Sequence, residues 1–484
     1  MKTTRRQFLR VVAVGGAATL AGCGRAPPLQ SIADGGEPGS DAGRLDGGNE
    51  AFDAGADGGA DAGADAGVPV ENPETLTESA PLFGFGIAAG DALADRIILQ
   101  TRYAGLEPLR LRVWRMEGGT YAEQVADAPV TPVDGGFVHL DVQGLTPGAR
   151  YRYAFVHGAA GQPLSRSPIG RFRAALGPGQ SEPLIFGAVS CTQNAIVPRP
   201  LARAAERDDL DAFLLLGDTT YNDGATTLAE YRAKWAQGLS RPEYRALRAS
   251  VGLVATWDDH EVTNDFNPET IAASKLAAAR QSYFEALPLR RDAIAPDRLW
   301  KSIRWGSTAE LFVLDGRGER KPSTLLNGQH IYLSREQMDW FKAALKASPC
   351  TFKVILNSVP ISDFGFSAFN PDGWRAYQNQ RLEILSYIDD EAIGGVLWVA
   401  GDHHFASCGT VSPSGPGSTA LEVLAGPGGQ SANALFNLLT KPRWEFASGE
   451  NNYLAIHCLP ATKEYRLVFH DGDGKTLFEK KVAV

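Results

Sequence analysis

Apolar and polar positions follow two different rhythms along this chain. Over residues 77–178 short runs such as Arg96-Ile97-Ile98-Leu99-Gln100-Thr101 and Arg110-Leu111-Arg112-Val113-Trp114 alternate with a period of two between turn residues, which predicts half-buried strands and an all-β region. Over residues 179–484 the apolar runs become continuous. Leu184–Val189, Ala212–Leu216, Leu253–Thr256, Glu310–Leu314, Phe352–Leu356, Val396–Ala400 and Leu421–Leu424 read as strands buried on both faces. Between them Leu228–Leu239, Thr270–Leu287 and Glu336–Leu345 carry helical spacing, the last preceded by Ser334-x-x-Gln337, a capping-box pattern. Strands that alternate with helices predict an α/β domain. The tail predicts a hairpin, Tyr465–His470 and Thr476–Val484, turning at Asp471-Gly472-Asp473-Gly474.

Leu145-x-Pro147 followed by Tyr151-x-Tyr153 has the form of a sandwich corner, in which a tyrosine hydroxyl ties back to the backbone. The β region is therefore expected to be a fibronectin type III-like sandwich, with a scaffolding role. Ahead of it, Thr4-Arg5-Arg6-Gln7-Phe8-Leu9 and the apolar run Val11–Leu20 read as a twin-arginine export signal. The run is too short to span a bilayer. Leu20-Ala21-Gly22-Cys23 resembles a lipobox, so residues 1–23 are expected to be a signal ending at a lipidated Cys23 that contacts the membrane, in the periplasm or at the cell surface. Residues 24–76, dominated by Asp, Gly and Ala, have too few large apolar groups to offset the entropy of ordering and predict a tether.

Charge sharpens this division. Residues 1–30 carry +5 and residues 31–66 carry −8, so the chain's net charge of −9 leaves an ordinary −6 on the rest. That balance argues against a nucleic-acid-binding face. Four cysteines, Cys191, Cys350, Cys408 and Cys458, do not make a disulfide framework in a body of this size; one bridge among the last three is compatible with the sequence.

The chemistry lies just past the strands. Leu184–Val189 ends at Ser190-Cys191, and Leu214-Leu215-Leu216 runs into Gly217-Asp218-Thr219-Thr220-Tyr221. Val254-Ala255-Thr256 runs into Trp257-Asp258-Asp259-His260-Glu261, and Leu397-Trp398-Val399-Ala400 into Gly401-Asp402-His403-His404. Ligands of open α/β sheets bind outside the carboxyl ends of the strands. A thiol, carboxylates, a phenol and imidazoles delivered to one sheet edge are the donors of a centre holding two cations, one carboxylate bridging them. Taken singly each motif has a plainer reading, since Asp218 could cap a helix, Cys191 could be core, and His403 and His404 could pack. Three acids around His260 at a buried strand end are costly without a cation. Phe364, Phe366, Trp374 and Tyr377, with Arg375 beside them, fit either a substrate cleft or a core.

These stretches, together with Gly86-Ile87-Ala88-Ala89-Gly90-Asp91, Leu314-Asp315-Gly316-Arg317 and Asp372-Gly373-Trp374-x-x-Tyr377, resemble the PhoD-like alkaline phosphatases of the calcineurin-like metallophosphoesterase superfamily. The resemblance implies a four-layer α/β/β/α core behind the sandwich, and exported hydrolysis of phosphomonoesters, with some diesters, by a hydroxide generated at Fe3+ and Ca2+ in a dinuclear or larger centre. It implies that Cys191, Asp218, Tyr221 and Asp402 hold Fe3+. Asp218 would bridge to Ca2+, with Asp259, Asp258, His404 and Asn264 nearby. His260 is the expected catalytic group, oriented by Asp258 or Glu261, and a monomer is expected. The alternatives are a phosphodiesterase acting on lipid head groups or cell-wall polymers, and a binding lipoprotein on a dead catalytic fold. Purple acid phosphatases fit less well, because they expect Gly-Asn-His-Glu and Gly-His-x-His where this chain has Asp258-Asp259-His260-Glu261 and Gly401-Asp402-His403-His404.

Overall fold

Strands apolar on both faces need cover on both sides, and the two sheets of the α/β region supply it for each other. In the computed structural model, which describes residues 72–364 and 371–484 and the backbone of Ala51–Phe52, Leu184–Val189, Ala212–Leu216 and Gly252–Thr256 pair in parallel. Ala309–Val313, Phe352–Leu356, Val396–Ala400 and Leu421–Leu424 form a second parallel set. Phe186, Leu214, Leu216 and Val254 of the first share one apolar cluster with Leu311, Val313, Val354, Leu397 and Val423 of the second. The opposite faces take helices. Phe213, Leu215 and Leu253 pack with Trp235, Leu247 and Tyr283 of the helices Leu228–Leu239, Pro242–Ser250 and Ala273–Ala286. Phe312, Ile355 and Trp398 pack with Phe341, Leu345, Ile384 and Ile388 of the helices Arg335–Ala347 and Gln378–Asp390.

The helix ends follow local chemistry. Thr227 and Glu230 close a reciprocal capping box on Leu228–Leu239. At Ser334 only half of the expected box forms: the Ser334 side chain accepts from the Gln337 N–H, while the Gln337 amide turns away to the Asp315 backbone and Glu319. The closing hairpin pairs Glu464–Asp471 with Thr476–Ala483.

The β region does not keep its strands to itself. Thr120–Val130, Leu109–Glu117, Arg150–Ala159, Gln162–Arg166 and Gly170–Arg173 form an antiparallel sheet of their own. Phe137–Gln143, Arg96–Arg102 and Ile87–Gly90 instead extend the first α/β sheet, with Ala89 and Gly90 opposite Gly252 and Leu253. A sheet edge is a row of unpaired backbone groups, and here the preceding region covers it. Residues 72–76, expected in the tether, also belong to the body: Pro73–Thr75 is a short 3-10 turn, and the Pro73 carbonyl accepts from Arg166 Nε at 3.0 Å. Ala51–Phe52, also expected in the tether, pair in parallel with Asp141 and Val142, while the export signal, Cys23 and the remainder of the tether lie outside the described residues. The four cysteines of the body are buried and free. Among the described residues no helix is long and apolar enough to cross a membrane.

The sandwich corner closes as its sequence form requires, with the Tyr151 hydroxyl accepting from the Thr146 N–H at 2.8 Å while its ring stacks on Phe172 at 5.1 Å. Tyr151→Phe removes the acceptor and keeps the stack. It should lower stability by about 1 kcal/mol, read as a lower urea midpoint with an unchanged slope.

Candidate metal centre

Both sheets end at one place. Thr256 Oγ1 donates to the Leu314 carbonyl at 2.8 Å and Ser190 Oγ to the Ala425 carbonyl at 2.8 Å, so carboxyl ends of first-sheet strands are tied to those of the second. The approach is close enough to demand glycine. A Cβ on Gly401 would stand 2.3 Å from Ser190 Cβ, and one on Gly217 would stand 2.5 Å from Asp258 Cβ, at a backbone φ of +97°. Four of the expected ligand residues, Cys191, Asp218, Asp402 and His404, have φ between 54° and 64°. Non-glycine residues held in the left-handed region mark a loop set by its site rather than by local preference.

Among the described residues the donors gather into three overlapping groups, each with ligand atoms within 4.8 Å of one another: Cys191, Asp218 and His404; Asp218, Asp259 and His260; and Asp258, Asp259 and Asp402. Tyr221 joins the first, its hydroxyl 3.0 Å from Asp218 Oδ2 and 3.2 Å from His404 Nε2. This redistributes the expected ligands. His404, rather than Asp402, stands with Cys191, Asp218 and Tyr221. Asp402 stands with Asp258 and Asp259, its Oδ1 accepting from Arg317 Nη2 at 2.8 Å and its Oδ2 2.8 Å from His403 Nδ1. The register of the loop decides this, because residues two apart on Gly401-Asp402-His403-His404 reach different groups.

Three further expectations change. Neither Asp258 nor Glu261 orients His260. Asp258 Oδ1 accepts from Arg317 Nε, while Glu261, fully buried, accepts the backbone N–H groups of Asp218 at 3.0 Å, Thr219 at 2.6 Å and Asp258 at 2.9 Å. One carboxylate thus pins two ligand-bearing loops together. Asp223 takes the orienting role, its Oδ2 2.5 Å from His260 Nδ1, and the imidazole stacks on Tyr221 with centroids 4.0 Å apart. Asn264 is exposed and gives its side-chain amide to Asp265; the Asp265 N–H, not Asn264, reaches Asp259 Oδ2 at 2.6 Å. Of the aromatics, Trp374 and Tyr377 are fully buried core, Phe364 lies edge-on 5.1 Å from the His403 ring, and Phe366 lies outside the described residues. Arg375 is taken by Asp363.

Sequence reasoning passed over Asp223, Arg317 and Asp372. Arg317 is fully buried and donates to Asp258, Asp372 and Asp402; Arg320 shares Asp372. A signal was present for each: Asp223 follows Asp218 in the same loop, Arg317 follows a buried strand, and Asp372 opens a motif noted for its family likeness.

The electrostatics favour positive charge at this site. Burial and then Asp218 push the Cys191 thiol well above its usual range, and the same two causes, with Cys191, raise Tyr221. Burial raises Asp259 to about 7 despite Arg317, and burial with Asp218 raises Glu261 to about 7. Burial opposes the charge on His260, yet the hydrogen bond to Asp223 and the charges of Asp218 and Asp259 bring it up to about 9. Asp258 Oδ2 is buried with no hydrogen-bond partner. A thiol, a phenol and clustered acids that resist ionising next to one another fit bound cations, whose charge favours the ionised forms.

Two family models match in succession: the PhoD-like phosphatase N-terminal domain over residues 70–176 and the PhoD-like phosphatase over residues 186–449. The chain is 28% identical over 379 residues to alkaline phosphatase D of Bacillus subtilis (strain 168), a match spanning 66% of this chain and 64% of that protein's length. A solved structure of PhoD superposes with a TM-score of 0.70 at 23% identity, covering 83% of this chain and 92% of that one. A purple acid phosphatase from yellow lupin (Lupinus luteus) seeds superposes with a TM-score of 0.61 at 13% identity, covering 82% and 73%. These two likenesses establish the fold.

Glu261→Gln tests the loop clamp. The amide keeps one acceptor and sets an N–H group against backbone donors, so the metal-stripped protein should lose about 2 kcal/mol of unfolding free energy in a denaturant titration.

Proposed function

The chain belongs to the PhoD-like phosphatase family, and from that premise we propose that it is a metal-dependent phosphoric ester hydrolase acting on phosphomonoesters, with phosphodiesters as secondary substrates. The observation that carries this reading is Asp218, whose carboxylate belongs both to the group with Cys191 and His404 and to the group with Asp259 and His260. A carboxylate shared between two donor sets is what a pair of neighbouring cations needs.

Cys191, Asp218, Tyr221 and His404 would hold a ferric ion, for which thiolate and phenolate are apt donors; Asp218, Asp259 and Asp402 would hold calcium, which takes oxygen ligands. When bound, the pair supplies Lewis acidity toward the phosphoryl oxygens and acidifies the attacking water. The protein's own part centres on His260. Asp223 accepts from Nδ1 and the Tyr221 ring fixes the imidazole plane, which leaves Nε2 to deliver a proton to the leaving oxygen as its bond to phosphorus breaks. Glu261 holds the loops of Asp218 and Asp258 in register throughout, so no ligand needs to be drawn into place during turnover.

Export by the twin-arginine pathway and anchoring through a lipid on Cys23 belong to the same proposal, and rest on the sequence of residues 1–23. An exported phosphohydrolase would act on esters outside the cytoplasm.

Three measurements bear on this. With nitrophenyl phosphate as substrate, His260→Ala should keep its metals by elemental analysis while turnover falls at least about 100-fold; unchanged turnover removes His260 from the reaction. Asp223→Asn should fall in the same direction by at least about 10-fold, with metal content retained. Tyr221→Phe should abolish a visible charge-transfer band, and protein without stoichiometric iron or any hydrolysis of mono- or diester would defeat the whole reading.

A further inference from the structure

Arg317 is a charged side chain with no exposed surface, and it sits among acids rather than beside solvent. Its planar group uses each nitrogen for a different loop. Nε meets Asp258 Oδ1, Nη1 meets Asp372 Oδ1, and Nη2 meets Asp402 Oδ1 at 2.8 Å with Asp259 Oδ1 3.8 Å away. Asp258 and Asp259 follow the strand Gly252–Thr256, Asp402 follows Val396–Ala400, and Asp372 belongs to the loop that leads into Gln378–Asp390. Arg317 itself follows Ala309–Val313. One guanidinium therefore joins the two sheets and a third loop at the acidic end of the centre. It makes no hydrogen bond or ion pair with Cys191, Tyr221 or His404.

The geometry points to Arg317 as a positioning residue for one half of the centre: a resident cation that sets Asp259 and Asp402 for calcium, with Asp258 as its anchor and Asp372 as its outer brace. This deepens the two-cation reading and rests on it. Full burial keeps the guanidinium from touching substrate, so its influence runs through the acids. The acids are committed in a pattern that leaves them able to coordinate. Asp402 gives Oδ1 to Arg317 and Oδ2 to His403, and Asp259 takes the Asp265 N–H on Oδ2 at 2.6 Å. Each carboxylate oxygen has a second lone pair for a metal. Partners of this kind hold a ligand's orientation before the ion arrives, and their loss weakens metal affinity about 10- to 100-fold. The fixed planar fork matters as much as the charge. A lysine ammonium is a point donor on a flexible stem and cannot serve three loops at set angles. Arg320 repeats the arrangement one step outward, bonding Asp372 and the carbonyl of Phe266.

The test uses the full chain, stripped of calcium with a chelator and titrated with calcium chloride in a calorimeter, with the visible band read alongside. Arg317→Lys and Arg317→Gln should each weaken calcium binding at least about 10-fold while the band persists, because the thiol, phenol and imidazole of the other half do not contact the arginine. Asp372→Asn changes none of the proposed ligands and should give a smaller loss in the same direction, which provides a reading if the arginine variants fold poorly. Unchanged calcium affinity in all three would overturn the assignment. So would an added equivalent of calcium in Arg317→Gln, since the acids would then be a cation site that the guanidinium blocks. Loss of the band together with calcium would replace the selective role with a general structural one. Wild-type protein with neither calcium binding nor band would defeat the two-cation reading itself, whereas a normal wild type with unaffected variants defeats this inference alone.

Discussion

Negative charge crowded at the ends of buried strands is the constraint around which this molecule is arranged. Asp218, Asp258, Asp259 and Glu261 are each no more than 4% exposed, and Asp402 stands with them. In a medium that screens poorly, such acids repel one another and resist ionising unless positive charge or N–H groups answer them. Two protein devices are present. Glu261 is answered by three backbone N–H groups, and Asp258 and Asp402 by Arg317. Asp259 takes the Asp265 N–H and has Arg317 at 3.8 Å, Asp218 takes hydrogen bonds among like-charged neighbours, and it is at these two that the donor groups overlap.

The fold can sustain that crowding because it is stiff where the acids emerge. Parallel strands from two sheets end together, locked by Thr256 on Leu314 and Ser190 on Ala425, with an apolar cluster behind them. Left-handed backbone at Cys191, Asp218, Asp402 and His404 costs energy that local sequence does not return. The surrounding packing holds it. The loops approach closely at Gly217 and Gly401, where any side chain would collide with the neighbouring loop.

The β region shares in this. It extends the first sheet beyond Gly252–Thr256 and so removes an edge, and its corner is closed by Tyr151. Its pattern alone suggested a fibronectin type III-like sandwich, since alternation says which face of a strand is buried but not which sheet receives it. Three of its strands proved to belong to the first α/β sheet.

What the sequence determined by itself was the parallel core strands, the helices it named between them and the strand-end motifs, while Lys301–Trp305, Ala406–Thr410, Trp444–Ser448 and Asn452–Leu459 were not foreseen. Burial on both faces writes continuous apolar runs, helices write a period near 3.6, and ligating groups must follow a strand end at short range. Leu184–Val189, Ala212–Leu216 and Leu228–Leu239 stand where their patterns put them. Only the tertiary structure decided who faces whom. Asp402 and His404 are two positions apart yet serve different groups, which depends on the path of a loop in the left-handed region. His260 takes Asp223 as its partner in place of its own neighbours, and Arg317 meets Asp258 from 59 positions away and Asp402 from 85. Contacts of that range leave no periodic trace in a single chain, because they are fixed by how two sheets are stacked and not by the spacing of residues along either.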